Sequence, residues 1–308
     1  MASSLKPAAV ALGAAAAGVA VWSTLIERQL FTVRRHTLPV LPSGAAPLRV
    51  LHLSDLHLAP WQARKIDWVR SLAELAPDLV VLTGDLMGHL QVRGALLYAL
   101  KPLIEAAPTV FVHGSNDYYG PMLKNPVKYL LEPSRLSTRT PDIDNRALTA
   151  GLEDLGAINL NNRAAALTLR DTDIELLGLN DPHIRYDDVN RMRESLAELE
   201  TNAAATPPVR FGVVHAPYQE PLGHLLDDRA AVIFAGHTHG GQVRVPGVGA
   251  LTANCDLPTA QARGLSVWHD AHHAAFLNVS AGLGNSIYAP VRFACRPEAS
   301  LLTLEAAH

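Results

Sequence analysis

Residues 48–57 read LRVLHLSDLH, a short apolar run that gives way abruptly to Ser54, Asp55 and His57. The run Leu48–Leu53 is rich in Leu and Val and has a strand's length, so it reads as a buried β-strand. The same phrase recurs four times. Leu79–Thr83 (LVVLT) is followed by Gly84-Asp85, and Thr109–His113 (TVFVH) by Gly114-Ser115-Asn116-Asp117. Arg210–Val214 (RFGVV) leads into His215-Ala216-Pro217, and Val232–Ala235 (VIFA) into Gly236-His237-Thr238-His239. In α/β sheets the functional crevice lies at the carboxyl ends of the strands. Five strands therefore aim Asp, His and Asn at one place, where a carboxylate is costly to desolvate without a cation to pair with.

Helical patterns fill the intervals. In Trp61–Ala76, Val69, Leu72, Ala73 and Ala76 recur at helical spacing and Pro77 stops the run. Val92–Ala107 places Leu96, Leu97, Leu100, Leu103 and Ile104 on one face, and Pro102 inside it predicts a kink or an early end. Arg146–Leu155 and Asp188–Glu200 read as two further helices, and Leu167–Arg170 with Ile174–Leu179 as a hairpin. The stretch 120–145, rich in Pro, Ser and Thr, reads as a long loop or lid. This alternation specifies an α/β layered protein with extra antiparallel strands in its second half.

Composition narrows the function. Of 308 residues 48% are apolar, enough for a sizeable core and too many for a disordered chain. A net charge of −3 gives no basic surplus for nucleic acid. Two cysteines, Cys255 and Cys295, exclude a disulfide scaffold and a thiolate zinc site. Residues Ala8–Ile26 carry no charge and match the length of a membrane-spanning helix. Residues 1–26 are thus expected to be a membrane anchor or signal, and 27–308 the catalytic domain. A membrane-associated protein is expected, and Arg28, Arg34 and Arg35 after the run place its main domain on the cytoplasmic side.

Taken singly, the strand-end fragments read as turns or caps; their order is what is specific. His237-Thr238-His239 does not open a metallo-β-lactamase pattern, because Gly241 stands where that pattern needs Asp. Asp-x-His, Gly-Asp, a Gly-Asn-type element, a single His and Gly-His-x-His in this sequence resemble the calcineurin-like metallophosphoesterase family. SDLHL, GHTHGGQV and the closing SAGLGNS, PVRF and RPEASLLTL segments are similar to its bacterial membrane-associated phosphodiesterases of the YkuE and YaeI type. The similarity covers roughly residues 47–304.

The resemblance implies a four-layer α/β/β/α sandwich of two mixed sheets, with two divalent or mixed-valence metal ions in the cleft. Asp55, His57 and His239 would hold the first ion, Asp85 would bridge the pair, and Asn116, His215 and His237 would hold the second. Oxygen and imidazole donors suit Mn, Fe or Zn. The implied reaction is phosphoester hydrolysis, most simply of a diester, with a metal-bridging hydroxide as nucleophile. The expected substrate is a small phosphoester or one linked to lipid or cell wall, with neither nucleic acid nor a protein partner. The alternatives are a silent scaffold of the same fold and a nuclease of the same fold.

One departure stands out. The family reads Gly-Asn-His-Asp/Glu where this chain reads Gly114-Ser115-Asn116-Asp117. Aligned without a gap, Ser115 falls on the metal ligand and Asn116 on the His that protonates the leaving group. With a shift of one residue, Asn116 keeps the metal and Asp117 takes the acid position. The second register is favoured because an amide carbonyl is the better ligand. Either way the His acid is missing, a loss that general acid catalysis makes worth about 10²–10⁴-fold and that hurts good leaving groups least. His113 and His183 are candidate replacements. Trp61 and Trp68 read as core or interface, the His269–His273 cluster as a surface turn, Asp181–His183 as cleft wall, Arg292 as a phosphate contact or a salt bridge, and Cys255 as a neighbour of the cleft.

Overall fold

The computed structural model describes residues 5–122, 140–200 and 207–307. Two six-stranded sheets face one another. The first has the order β1-β14-β2-β3-β4-β5 and the second β12-β13-β9-β8-β7-β6. The first sheet comprises β1 (Thr32–Leu41), β2 (Leu48–Leu53), β3 (Leu79–Thr83), β4 (Thr109–Val112), β5 (Ile158–Asn159) and β14 (Glu298–Ala306). The second comprises β6 (Arg163–Leu169), β7 (Thr172–Leu179), β8 (Val209–Val214), β9 (Ala230–Ala235), β12 (Gly264–His269) and β13 (Ala274–Val279), while β10 (Arg244–Val245) and β11 (Gly249–Ala250) pair as a separate two-stranded ribbon. Strands β2 to β5 are mutually parallel, as are β7, β8, β9 and β13, while β14, β6 and β12 add antiparallel pairings. This is the mixed, two-sheet architecture that the resemblance implies.

The apolar runs show no polar alternation because both faces of each sheet are covered. Along β2 and β3, Val50, Leu79 and Val81 join Phe211, Val213, Val232 and Phe234 in the layer between the sheets. Their neighbours Leu51, Leu53, Val80 and Leu82 point outward onto the helices Ala63–Ser71, Arg93–Ala106 and Asn145–Asp154. On the far side, Leu177, Leu179, Val214, Ile233 and Ala235 pack beneath the helices Val189–Glu200 and Gln219–Asp227. His52 sits within the inter-sheet layer, bonded to Thr83 Oγ1 (2.8 Å) and Asn278 Nδ2 (2.8 Å), and burial drives its pKa down to about 3.

Three local readings are refined. The helix holding Pro102 runs on to Ala106 instead of stopping. Proline removes the N–H that would bond the carbonyl four residues back. That carbonyl, Tyr98 O, instead accepts from Arg70 Nη1, whose guanidinium lies 3.9 Å from the Tyr98 ring centroid. The hairpin is longer than expected, pairing Arg163–Leu169 with Thr172–Leu179 around Arg170-Asp171, both with left-handed φ (45° and 66°) as a tight two-residue hairpin turn requires. Trp61 is 64% exposed rather than core, with its ring edge on His89, whereas Trp68 packs on Phe31. Of the expected lid, residues 123–139 lie outside the described residues.

The N-terminal helix Leu5–Val21 widens into a π-turn over Trp22–Ile26 and tightens into a 3₁₀ turn over Glu27–Gln29. Val10–Gln29 is long and apolar enough to cross a membrane by length and composition. Its foot is part of the domain. Ser23 and Glu27 are buried; Ser23 O accepts from Arg292 N (3.0 Å), and Glu27 accepts from Ala294 N (3.0 Å), Cys295 N (2.6 Å) and Trp22 Nε1 (2.7 Å). Arg34 lies within β1 and pairs with Glu298 (2.5 Å), so this arginine of the basic flank is committed to the fold.

Candidate metal centre

Because β2, β3 and β4 are parallel to one another, and β7, β8 and β9 likewise, each sheet delivers its strand ends to one edge. The two edges meet: Asp55 Oδ2 accepts from His237 N (3.0 Å), and His215 Nδ1 donates to Thr83 O (2.6 Å). The turns after the strands are tight. Asp55, His57, Asp85, His237 and His239 all have left-handed φ, between 37° and 67°. Non-glycine residues there cost of order 1–3 kcal/mol each and persist where their surroundings fix them. The fixing bonds are Asp55 N to Gly84 O, His57 N to Asp85 O (both 2.9 Å) and Leu58 N to Leu86 O (3.0 Å), which zip the two loops together. Gly84 (φ 82°) abuts the Gly114 backbone, leaving no room for a Cβ.

Asp55, His57, Asp85 and His239 form a buried cluster whose ligand atoms all lie within 4.8 Å of one another. His57 Nε2 is 3.3 Å from Asp85 Oδ2, His239 Nε2 is 3.7 Å from Asp55 Oδ1, and His215 Nε2 is 3.6 Å from Asp85 Oδ1. The far nitrogens of two rings are fixed by carbonyls, His239 Nδ1 on Gly284 O (3.1 Å) and His215 Nδ1 on Thr83 O. His57 Nε2 and His215 Nε2 are buried without a hydrogen-bond partner. Orphaned ring nitrogens beside carboxylates, in His215 with the second nitrogen tied to a carbonyl, fit a metal's donor set. His237 lies at the second-sheet side, 5.2 Å from His215 between ring centroids, its Nε2 held by Asn254 O (3.1 Å).

The electrostatics suit a cation. Burial pushes the Asp55 carboxyl well above its usual range and lowers His57 to about 3, with Lys65 adding to the effect; His237 and His239 are lowered too, chiefly by burial. Neutral imidazoles are the form that ligates. His215 is the exception. Burial opposes its charge, but Asp85, Asp181 and Asp55 outweigh burial and raise it to about 9.

The departing loop resolves into two different environments. Asn116 reaches Asp85 with both of its donors, N to Oδ1 (2.7 Å) and Nδ2 to Oδ2 (2.7 Å). Asp117 does not. It is fully buried, with Oδ1 accepting from Leu86 N (2.9 Å) and Met87 N (3.1 Å) and Oδ2 from Gly114 N (3.0 Å). Burial alone would raise it, but His113 and those amides hold it below the usual carboxylate range. The structure places this carboxylate on the amides of the loops after β3 and β4, which it clamps together, and not against Asp85. His113 is buried too, bonded to Thr149 Oγ1 (2.9 Å). His183 packs against His237 at 4.6 Å between centroids with the rings tilted by 42°, and its Nδ1 lies 3.0 Å from Tyr218 OH. The His269–His273 cluster lies at the turn joining β12 and β13, at the backbone amides held by Asp270.

Sequence reasoning missed Asn254, Gly284 and the part played by Arg292. Asn254 adjoins Cys255, which the sequence places beside the cleft, but its own contact with His237 is not legible there. Arg292 is fully buried and bonded to backbone carbonyls, and among the described residues it forms no ion pair with a carboxylate.

The calcineurin-like phosphoesterase profile matches residues 48–241. The chain is 28% identical over 284 residues to a protein of Escherichia coli (strain K12) named phosphodiesterase YaeI, spanning 89% of this chain and 88% of that one. It is 27% identical over 320 residues to the UDP-2,3-diacylglucosamine pyrophosphatase LpxG of Chlamydia trachomatis, spanning 92% of each. A Bos taurus protein named transmembrane protein with metallophosphoesterase domain is 26% identical over 275 residues, spanning 87% of this chain and 55% of that one.

Proposed function

The chain belongs to the calcineurin-like phosphoesterase family, and on that premise we propose that it is a dimetal hydrolase of phosphodiester or phosphoanhydride bonds carried by a membrane-held substrate. That it is a phosphoester hydrolase follows from the family and its relatives. The finer reading is carried by the buried Asp55, His57, Asp85 and His239 cluster, with the orphaned Nε2 atoms of His57 and of the neighbouring His215. Asp55, His57 and His239 would hold one ion and Asn116, His215 and His237 the other, with Asp85 between them. Mn, Fe or Zn bound there would polarise the phosphoryl oxygens and make a water acidic enough to attack at neutral pH.

The chain's residues prepare this. Gly284 O and Thr83 O accept the Nδ1 protons of His239 and His215, which leaves Nε2 of each ring as the donor. Asn116 orients Asp85, and rotating its amide by half a turn would offer the carbonyl oxygen instead. Asp117 holds the loop but protonates nothing. With that acid absent, leaving groups of low pKa are favoured, such as the phosphate released from a pyrophosphate. The name of the Chlamydia relative agrees with such a bond on a lipid. The N-terminal helix, with the transmembrane name of the Bos taurus relative, supports a place at a membrane.

The test is Asp85→Asn in the full-length protein, with metal counted by mass spectrometry and hydrolysis of bis(4-nitrophenyl) phosphate followed with Mn²⁺ supplied. Loss of both ions and of hydrolysis is expected. Two ions per chain with normal turnover would overturn the assignment.

A further inference from the structure

Arg292 is the largest fully buried side chain among the described residues. Its Nη1 donates to Cys295 O (3.2 Å), and its Nη2 to Ala281 O (2.8 Å), Gly282 O (3.2 Å) and Gly284 O (2.5 Å). Among the described residues no carboxylate forms an ion pair with it, since Glu298 is taken by Arg34 and Arg263. Burying a cation costs several kcal/mol, and an apolar side chain of similar volume is cheaper to bury. Packing therefore does not account for a guanidinium here; a fork of donors aimed at several carbonyls does.

The carbonyls it gathers belong to the segment after β13, and that segment touches both loops of the first metal position. Leu283 N donates to Ser54 O (3.1 Å) and Gly284 N to Asp55 O (2.6 Å). Gly284 O, which Arg292 holds, also accepts from His239 Nδ1. Gly284 thus grips the backbone of one ligand and the ring of another. If Gly284 moved, His239 would lose the carbonyl that fixes its tautomer, and Asp55 O would lose the Gly284 N–H that supports its turn from the other side. On the other side, Arg292 N donates to Ser23 O at the foot of the N-terminal helix.

We infer that Arg292 is a positioning residue of the first metal position, acting through Gly284 on the tautomer and orientation of His239 and on the backbone of Asp55. The inference rests on the dimetal reading above. Partners of a ligand's second nitrogen are typically worth 10–100-fold in metal affinity. The experiment uses Arg292→Met and Arg292→Lys in the full-length protein, with Mn²⁺ titrations by calorimetry and ¹⁵N–¹H spectra of the histidine rings in metal-free protein. Expected for Arg292→Met is about 10–100-fold weaker binding at one of two positions, the other unchanged, and loss of the single Nδ1–H tautomer of His239. Arg292→Lys, which keeps one donor group, should recover part of both. If Arg292→Met does not fold, a folded Arg292→Lys with weakened binding at one position carries the same conclusion. Unaltered affinities and an unaltered His239 tautomer in a folded variant would overturn the inference, even with a lower melting temperature. Wild-type protein that takes up no Mn²⁺ would sink the dimetal reading, and the metal-free spectra would still decide what Arg292 does.

Discussion

Asp117 gives the sharpest test, because sequence and structure assign it different work. Asp117→Ala leaves three buried amides, those of Leu86, Met87 and Gly114, without an acceptor. Each orphaned amide costs about 1–3 kcal/mol, so the substitution should destabilise by roughly 3–9 kcal/mol and threaten folding outright. Asp117→Asn is gentler. Its one carbonyl oxygen can keep Leu86 and Met87, but its NH₂ then faces the Gly114 N–H, donor against donor. One lost charge-assisted bond and one unsatisfied amide amount to about 2–4 kcal/mol. The assay is urea unfolding by intrinsic fluorescence, with hydrolysis of a 4-nitrophenyl and an alkyl diester measured on the folded fraction. Rates on both esters should fall by the same factor, since a displaced loop affects metal and substrate alike. A variant as stable as wild type, whose loss of rate grows with leaving-group pKa, would restore Asp117 as the acid and refute the clamp.

Three further outcomes are expected. Asn116→Ala should lower retention of one of two ions, read by mass spectrometry, and slow good and poor leaving groups equally. His52 is neutral when folded and ordinary when unfolded, so the unfolded chain binds the extra proton as pH falls below about 6.5; stability is present above that pH and falls by about 1.4 kcal/mol per unit towards 3. Urea unfolding of His52→Gln should show a pH slope shallower by one proton over that window. Deleting residues 1–21 should release the protein from the membrane fraction with its melting temperature kept. Deleting 1–29 also strips Glu27 from the amides of Ala294 and Cys295 and should lower stability by about 2–4 kcal/mol.

The five strands that carry the centre were legible because they are covered on both faces and so spell short, mostly apolar runs, each leading to a side chain with metal chemistry. β1 was not. TVRRHTLPVL mixes arginines and a proline into its length, a composition tolerated because it is an edge strand paired on one side only. The metal ligands could be read residue by residue, but their support could not. Gly284 contributes through its backbone carbonyl, which every residue has, so no side-chain type marks it; Asn254 meets His237 Nε2 with both its carbonyl and its side-chain amide, a pairing that an isolated Asn in a loop does not announce. Arg292 was visible as a charge, yet sequence offers no way to tell a guanidinium facing substrate from one turned inward onto carbonyls. Asp117 misled for the opposite reason: a carboxylate beside a catalytic motif reads as chemistry, whereas three backbone amides had already claimed it.

The pairing of β1 with β14 has a consequence for the order in which the protein comes into being. Arg34 and Glu298, which meet across that pairing, are 264 residues apart. As the chain leaves the ribosome, the apolar helix Leu5–Val21 and then β1 emerge long before β14 exists. Until β14 arrives, β1 is unpaired and β2 presents an open edge, the kind of surface that invites association with other chains. The clasp on Asp55 and His239 comes from residues 281–284, so the first metal position too is unfinished until most of the chain has been made. Translation thus acts as a timer: a nascent chain has ligands in hand well before it has a centre able to grip an ion.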